Sequence, residues 1–207
     1  MIELLGITID DKLNFNTHIN NLCHMAGGQL NTLNRLDKYL SPFCKELAIN
    51  SFIASNFNYC PLIWHFSSAN SSNMIEGIQK RAFRFLNKEH INNPNLCTMQ
   101  VKRLRTLAIE IFKTLNNLNP FYMKEIFQKS IYRISERLKF NLKGQRFNQV
   151  EYGRNSLRVL GPILWNYFPN DFKTCDSLYK FKKLIKTWGV KNCPHYARFM
   201  SYITAVI

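Results

Sequence analysis

The stretch "MIEGIQKRAFRFLNK", residues 74–88, decides the fold class most clearly. Its apolar residues recur at steps of three and four, which is typical of the buried side of an amphipathic helix. They are Met74, Ile75, Ile78, Ala82, Phe85 and Leu86. The preceding polar loop "SSANSSN" offers several helix caps, so we predict a helix over 74–86. Its opposite side carries Lys80, Arg84 and Lys88 at a spacing of four.

Upstream of this stretch the same periodicity predicts two more helices. The first begins near Thr17, is about 20 residues long, and has its apolar side at Ile19, Leu22, Cys23, Ala26, Leu30, Leu33 and Leu36. Ser41-Pro42 is an N-cap followed by a first-turn proline, and it starts a second helix. The apolar side of that helix is predicted at Phe43, Leu47, Phe52 and Ile53. Pro61 indicates a break near Cys60.

Downstream, a helix is predicted from Val101 to Leu118, stopped by Asn119-Pro120, with a short helix after it at 121–127. Residues 128–155 are basic, polar and weakly periodic, which favours extended or irregular structure. "LGPILWNYFPNDF", residues 160–172, reads as a turn-and-helix unit bounded by Gly161-Pro162 and Pro169. Ser177 caps a last helix. The inner face of that helix is Leu178, Phe181, Leu184, Ile185 and Trp188.

The predicted fold is therefore mainly α. It is a helical bundle with one short N-terminal strand at "LLGITI", residues 4–9, followed by a small α-rich C-terminal region. The polar linker "NKEHINNPNLC", residues 87–97, divides the chain into predicted domains 1–88 and 89–207.

Charge indicates the class of partner. The chain has 28 Lys and Arg against 13 Asp and Glu, a net charge of +15, and residues 80–149 hold 15 basic and 4 acidic residues. That concentration favours a polyanion over a merely solvated surface. No run of 18 apolar residues appears, so we expect a soluble, intracellular protein with no membrane partner, in the nucleus or the cytoplasm.

Asp10-Asp11, on a turn after the predicted strand, is the pair most suggestive of catalysis. A polymerase needs two or three carboxylates on neighbouring strands to hold two magnesium ions about 4 Å apart. One adjacent pair is insufficient, so we interpret these residues as a solvated turn and assign no catalytic residue. Cys193-Pro-His195 is the best metal candidate, and it lacks the second ligand pair that zinc requires. We expect no metal and no cofactor.

Several segments taken together resemble the reverse transcriptases of non-LTR retrotransposons, of the jockey and LINE kind. "LLGITIDDKLNFNTHI" is similar to the stretch that follows their catalytic palm, with matches at Leu5, Gly6, Asp10, Leu13, His18 and Ile19. "LNRLDKYLSP", "NSFIASNFNYCPLIW" and "IQKRAFRFL" resemble their helical thumb. Residues 152–188 resemble the region after the thumb, with matches at Gly161, Pro162, Trp165, Pro169, Ser177, Leu178, Phe181 and Trp188.

The resemblance implies a thumb and C-terminal region that grips an RNA or DNA template–primer duplex through its phosphates. The palm that would bind magnesium lies upstream in that family, so we expect no polymerase activity from this chain alone. The candidate nucleic-acid contacts are Lys80, Arg81, Arg84, Lys88, Lys102 and Lys113. Five aromatic residues, Tyr39, Phe57, Tyr59, Trp64 and Phe66, are candidates for base stacking.

A second interpretation stays open at this point. The chain can equally be a helical interaction module whose basic surface contacts an acidic protein. The sequence does not distinguish a decayed element, a gene-model fragment and a retained host protein, and it leaves the oligomeric state open.

Overall fold

A computed structural model describes residues 1–86, 98–128, 140–145 and 156–188 of this chain. The chain divides into two compact units, Met1–Arg103 and Leu104–Ile207. The predicted linker at 87–97 lies outside the described residues. The mainly helical class is confirmed, with eight α-helices in the described ranges. Within the same ranges, no helix combines the length and apolar character needed to cross a bilayer.

The N-terminus forms a hairpin rather than the single strand that was predicted. Strands β1 (Ile2–Leu4) and β2 (Ile7–Ile9) pair antiparallel, with Leu4 opposite Ile7. Leu5 and Gly6, both with positive φ, make the two-residue turn. Positive φ at both central positions is the type I′ geometry that matches the twist of paired strands. The sequence did not predict this turn, because it lies within a continuous apolar run in which only Gly6 is a typical turn residue.

The first helix, α1 (Asn16–Arg35), has the predicted length. A short 3₁₀ turn (Asp37–Tyr39) leads to α2 (Pro42–Ala48), and the Ser41 Oγ accepts the backbone N–H of Cys44, which confirms the predicted cap. A π-helical turn (Ile49–Ala54) joins α2 to α3 (Ser55–Asn58). The chain then breaks at Cys60, which has positive φ, as predicted.

The predicted apolar side of α2 is wrong at three of its four residues. Phe43, Leu47 and Phe52 are exposed, and only Ile53 is buried. The segment carries a second apolar stripe at a spacing of four, made of Ile49, Ile53 and Phe57, and this is the stripe that enters the core. Periodicity alone does not rank these two stripes, which share Ile53, and the π turn that follows α2 also shifts the helical register.

Helices α1 and α4 (Ala69–Leu86) form the centre of the first unit. They run in the same direction. Ser71 Oγ donates to Asn16 Oδ1 at 2.9 Å near their starts, and Arg81 Nη2 donates to Asn31 Oδ1 at 2.8 Å near their ends. The residues between these bonds pack the core, among them Ile19, Leu30, Ile75 and Ala82.

Side chains of α4 cap the N-terminus of the next helix, α5 (Met99–Leu115). The Glu76 carboxylate accepts the backbone N–H groups of Gln100 (2.8 Å) and Met99 (3.3 Å), and Gln79 Oε1 also accepts that of Met99 (2.7 Å). A carboxylate is favourable there because the first turn of a helix leaves N–H groups unpaired and has a positive end.

Helix α5 ends three residues before the predicted Leu118. Asn117 has positive φ, and the backbone N–H groups of Leu118 and Asn117 donate to the carbonyls of Lys113 and Thr114. This pair of bonds is a Schellman motif, which glycine or asparagine closes in the left-handed conformation. Leu118 is therefore exposed.

The second unit continues with a 3₁₀ segment (Phe121–Ile126), where a short helix was predicted, and with α6 (Leu157–Asn166), α7 (Asn170–Lys173) and α8 (Leu178–Ile185). Gly161-Pro162 lies inside α6 and does not bound it, contrary to the prediction. Both residues are buried, and burial offsets the helix bond that Pro162 cannot donate. The predicted cap of α8 is confirmed, since Ser177 Oγ accepts the N–H of Lys180.

Aromatic rings make the core of the second unit. Phe181 of α8 stacks on Phe112 of α5 with 4.4 Å between ring centroids and lies 6.0 Å from Trp165 of α6. Phe168 stacks on Phe172 and meets Trp188 edge-on. The predicted inner face of α8 is thus buried at Phe181, Ile185 and Trp188.

Candidate nucleic-acid interface

Three of the predicted contact residues lie together on the exposed side of α4. Lys80, Arg81 and Arg84 are all exposed, and we call them the α4 basic face. They occupy positions i, i+1 and i+4. Lys80 and Arg84 project away from the buried Ile78, whereas Arg81 lies beside Ile78 at the edge facing α1. Lys88 lies outside the described residues.

The neighbouring helix contributes polar groups without negative charge. Arg81 Nη2 is held at 2.8 Å from Asn31 Oδ1, so that guanidinium lies along α1. Arg35, in the last turn of α1, is exposed. Helix α1 contains no acidic residue, and the one carboxylate of α4, that of Glu76, is bound to the N-terminus of α5. No carboxylate of either helix therefore competes with an anion for the α4 basic face.

An open groove of about 580 Å³ runs between α1 and α4 beside this face. Amide and imidazole groups of α1 form one wall, and α4 forms the other. Small residues bring the two helices close: a Cβ on Gly27 would lie 3.6 Å from Arg81 Nη1 and 3.7 Å from Ile78 Cδ1. The residues that line the groove are Asn20, Asn21, Cys23, His24, Met74, Gly77, Ile78 and Arg81. Amides with a guanidinium suit phosphate and sugar contacts.

Of the other two described candidates, Lys102 lies in the first unit but not on this face. Lys102 lines a different cleft of about 480 Å³, on the flank of α4 that carries Phe83 and Leu86. Lys113 belongs to the second unit, where its Nζ lies 2.6 Å from Glu110 Oε1. That ion pair neutralises the charge with which Lys113 would meet a phosphate.

The aromatic candidates for base stacking also lie elsewhere. Phe57 and Trp64 are buried in the core of the first unit. Tyr59 is exposed and donates its hydroxyl to the Leu5 carbonyl at 2.8 Å, beside the hairpin, and Tyr39 is exposed next to α2. Phe66 is partly buried. No Phe, Tyr or Trp lines the groove, so its chemistry favours the phosphate backbone over the bases.

Asp10-Asp11 lies in the loop that leads into α1, where Asp10 holds the backbone by hydrogen bonds. The Asp10 carboxylate accepts backbone N–H groups from Lys12 (3.0 Å), Asn14 (2.9 Å) and Phe15 (2.7 Å). These hydrogen bonds, with that of Asn14 the strongest influence, lower the pKa of Asp10 below its usual value. Both carboxylate oxygens serve the chain itself, and Asp11 is exposed.

His18 receives a structural explanation that the sequence did not supply. The imidazole is buried, and its Nδ1 accepts the backbone N–H of Thr8 in β2 at 3.4 Å. Burial lowers the pKa of His18, which keeps the ring neutral and able to accept this bond. His18 thus fastens the hairpin to α1.

A polar cluster of the buried Trp64 and Arg103 with the partly buried His65 was not singled out from the sequence. The Arg103 guanidinium lies 5.4 Å from the ring centroid of Trp64, and its Nη2 donates to Ser72 Oγ at 3.0 Å. Burial, and then the Arg103 charge, lower the pKa of His65 to about 3. The available signal was helical register, since position 103 shares a face with the buried Leu107.

Metal-binding groups are scattered across the described ranges, where no three His, Cys, Asp or Glu side chains converge on a metal position. The cysteines described are free thiols at Cys23, Cys44, Cys60 and Cys175. Cys193 and His195 lie outside the described residues. Compared with protein-family models, with curated proteins and with solved structures, the chain gives no match.

Proposed function

We propose that this chain corresponds to the thumb and C-terminal region of a retrotransposon reverse transcriptase and binds the backbone of a template–primer duplex through the α4 basic face. The observation that carries the proposal is the exposure of Lys80, Arg81 and Arg84 on one side of α4, next to a helix without acidic residues. The resemblance quoted above supports the nature of the ligand.

The expected mode of binding is positional rather than sequence-specific. Lys80 and Arg84 extend into solvent, while Arg81 is held by Asn31 at the edge of the groove. Charged donors of this kind contact phosphate oxygens and release counterions, whereas sequence reading requires contacts to base edges. Binding should therefore weaken steeply with salt and vary little among sequences.

The test uses a labelled RNA–DNA heteroduplex and the triple variant Lys80→Ala/Arg81→Ala/Arg84→Ala of the full chain. At about 0.9 units of slope per phosphate contact, the plot of log affinity against log salt should flatten by roughly 2 to 3 units. The helix should persist, because alanine is the best helix former and the three side chains are exposed.

A matched variant controls for net charge. Lys12→Ala/Lys38→Ala/Lys124→Ala removes the same number of charges at exposed positions outside α1 and α4. We expect the salt slope of this control to differ from the wild-type slope by less than roughly 0.5 units, the value of half a phosphate contact. Equal flattening in both variants would reduce the interaction to general attraction by the net charge, and an unchanged slope in the α4 variant would refute the proposal.

One observation favours the alternative of a protein-interaction module. Phe43 and Leu47, four residues apart on α2, form an exposed apolar strip, and Tyr39 is exposed in the 3₁₀ turn before that helix. An acidic protein that contacts this strip and the nearby Lys38 would bind without any nucleic acid. Loss of such binding in Phe43→Ser/Leu47→Ser, with heteroduplex affinity unchanged, would favour this alternative.

A further inference from the structure

The outer side of α8 combines positive charge with one large exposed aromatic ring. Phe181, Ile185 and Trp188 face the core of the second unit, so the opposite side of the helix is directed to solvent. That side carries Tyr179, Lys182, Lys183 and Lys186, which we call the α8 outer face. The four residues stand at i, i+3, i+4 and i+7 and are therefore neighbours on the helix surface.

No negative charge accompanies these lysines on the helix. Residues 178–188 contain no Asp or Glu, and the nearest carboxylate in sequence, that of Asp176, lies 3.9 Å from Lys180. Lys182 and Lys186 are like charges at a spacing of four, which costs an isolated helix a few tenths of a kcal/mol. This arrangement of like charges does not stabilise the fold, whereas it would stabilise the binding of an anionic ligand.

Tyr179 indicates which anionic ligand fits. Its side chain is 79 % exposed, and its hydroxyl makes no hydrogen bond within the described part of the chain. A flat ring one turn of helix away from Lys182 and Lys183 can stack on a nucleobase while the lysines contact the neighbouring phosphates. Base faces are open to such stacking in single strands and closed in a duplex.

We propose that the α8 outer face is a binding site for single-stranded nucleic acid, with Tyr179 stacked on a base and Lys182, Lys183 and Lys186 on the phosphates. A lipid surface fits less well. A helix that lies on a membrane inserts its apolar side, but the apolar side of α8 is covered by Phe112 and Trp165.

This site is independent of the function proposed for the first unit. The α4 basic face offers cations and amides without an aromatic ring and suits a duplex, whereas the α8 outer face offers a ring and suits unpaired bases. The two proposals concern different helices and different ligands, so either can fail without the other.

The experiment measures the affinity of the full chain for a labelled oligothymidylate of about 15 nucleotides, which covers one typical single-strand site. It is done in the Lys80→Ala/Arg81→Ala/Arg84→Ala background, so that the α4 basic face does not contribute. Tyr179→Ala should weaken binding by about 5- to 100-fold, the loss of one stacked base. Tyr179→Phe retains the ring and should stay within about twofold.

The lysines are tested by the salt dependence. Lys182→Ala/Lys183→Ala/Lys186→Ala should flatten the log–log salt slope by about 2 units, at roughly 0.7 per contact on a single strand. The charge-matched control is Lys124→Ala/Lys143→Ala/Arg158→Ala, at exposed positions of the same unit, and it should leave the slope near that of the background. Tyr179→Leu, which keeps apolar bulk without a ring, should behave as Tyr179→Ala does.

Three outcomes would overturn the proposal. The first is Tyr179→Ala or Tyr179→Leu binding the oligonucleotide as tightly as the background does. The second is an equal slope change in the two lysine variants. The third is that the protein with the α4 substitutions does not bind the oligonucleotide but binds vesicles of phosphatidylserine and phosphatidylcholine through the same lysines. Circular dichroism and thermal melting of every variant confirm that the compared proteins are folded.

Discussion

The Asp10 carboxylate accepts the backbone N–H of Phe15 at 2.7 Å and so closes the loop that leads from β2 into α1. This loop carries two non-glycine residues with positive φ, Leu13 and Phe15. Such conformations are costly and persist only where other interactions hold them. The three hydrogen bonds to Asp10 supply that constraint, which explains why this aspartate is needed as a structural anchor.

Asp10→Ala should therefore lower the melting temperature by about 2–4 °C, the usual effect of losing one helix-entry anchor in a chain of this size. Asp11→Ala is the matched control and should change it little, since Asp11 is exposed and accepts no hydrogen bond in the described ranges. The pKa of Asp10 is lowered by folding, so its contribution persists above the unfolded value and is lost only as pH falls through the folded value. Equal melting temperatures for the two variants would contradict this role.

The purified chain should incorporate no nucleotides on a primed RNA template with magnesium. The Asp10 oxygens are engaged by backbone N–H groups, and one further carboxylate at Asp11 does not hold two ions. The measurement is incorporation against a heat-inactivated control. Synthesis above that control, abolished by Asp10→Ala, would restore a catalytic role to this pair.

His65 should make the first unit sensitive to acid. Its pKa is about 3 when folded, because of burial and the Arg103 charge, against an ordinary value of 6.5. Below pH 6.5 the unfolded chain takes up a proton that the folded chain does not, so stability falls as pH falls. Between pH 7 and 5 this loss is about 2 kcal/mol, and His65→Asn should remove it.

Urea unfolding at several pH values measures this difference. His24→Asn is the control, because His24 is exposed and should leave the pH dependence unchanged. The prediction fails if wild type and His65→Asn lose the same free energy of unfolding over this range.

Two glycines in helices should respond to alanine with opposite signs. A Cβ on Gly161 of α6 would lie 2.5 Å from Phe127 Cε1, so Gly161→Ala forces apart a buried contact and should cost about 1–3 kcal/mol. A Cβ on Gly28 of α1 would meet nothing within 4 Å, and Gly28→Ala should stabilise by about 0.5–1 kcal/mol. Urea unfolding of each variant measures its change in the free energy of unfolding. A Gly161→Ala variant as stable as the wild type would mean that Phe127 does not pack on α6 as described.

The turn of the hairpin offers a stabilising substitution. Leu5 has a φ of 50° and is 81 % exposed at the first central position of a type I′ turn. Asparagine adopts this conformation more readily than leucine, so Leu5→Asn should stabilise by up to about 1 kcal/mol. Leu4→Asn, one residue earlier in β1, should not. A destabilised Leu5→Asn variant would indicate that the Leu5 side chain makes a contact the turn needs.

The local sequence pattern predicted the structure correctly in segments that carry a single apolar stripe. The length of α1, the caps at Ser41 and Ser177 and the break at Cys60 could all be predicted, because each depends on interactions within a few residues. The same is true of the exposure of Lys80, Arg81 and Arg84, since a helix that buries Ile78 and Ala82 must direct these three outward.

The local sequence pattern predicted the structure poorly where contacts with distant residues determine which of two local arrangements forms. Two apolar stripes fit residues 43–57, and only packing in the core of the first unit selects Ile49 and Phe57 over Phe43 and Leu47. Pro162 ordinarily ends a helix, yet α6 continues through it because burial of Gly161 and Pro162 offsets the missing bond. The partner of Lys113, Glu110, was readable from the i, i+3 spacing, but whether the pair forms depends on the surroundings of α5.

The sequence by itself determined the helical class, the strongly basic balance and the positions of most helices, because these follow from composition and from short-range periodicity. Only the tertiary structure decided what these charged side chains contact: Glu76 the start of α5, Arg103 the ring of Trp64, and Arg81 the amide of Asn31. These contacts join residues 23 to 50 positions apart. Their free energy depends on distance and burial in the folded chain, and a one-dimensional pattern contains neither.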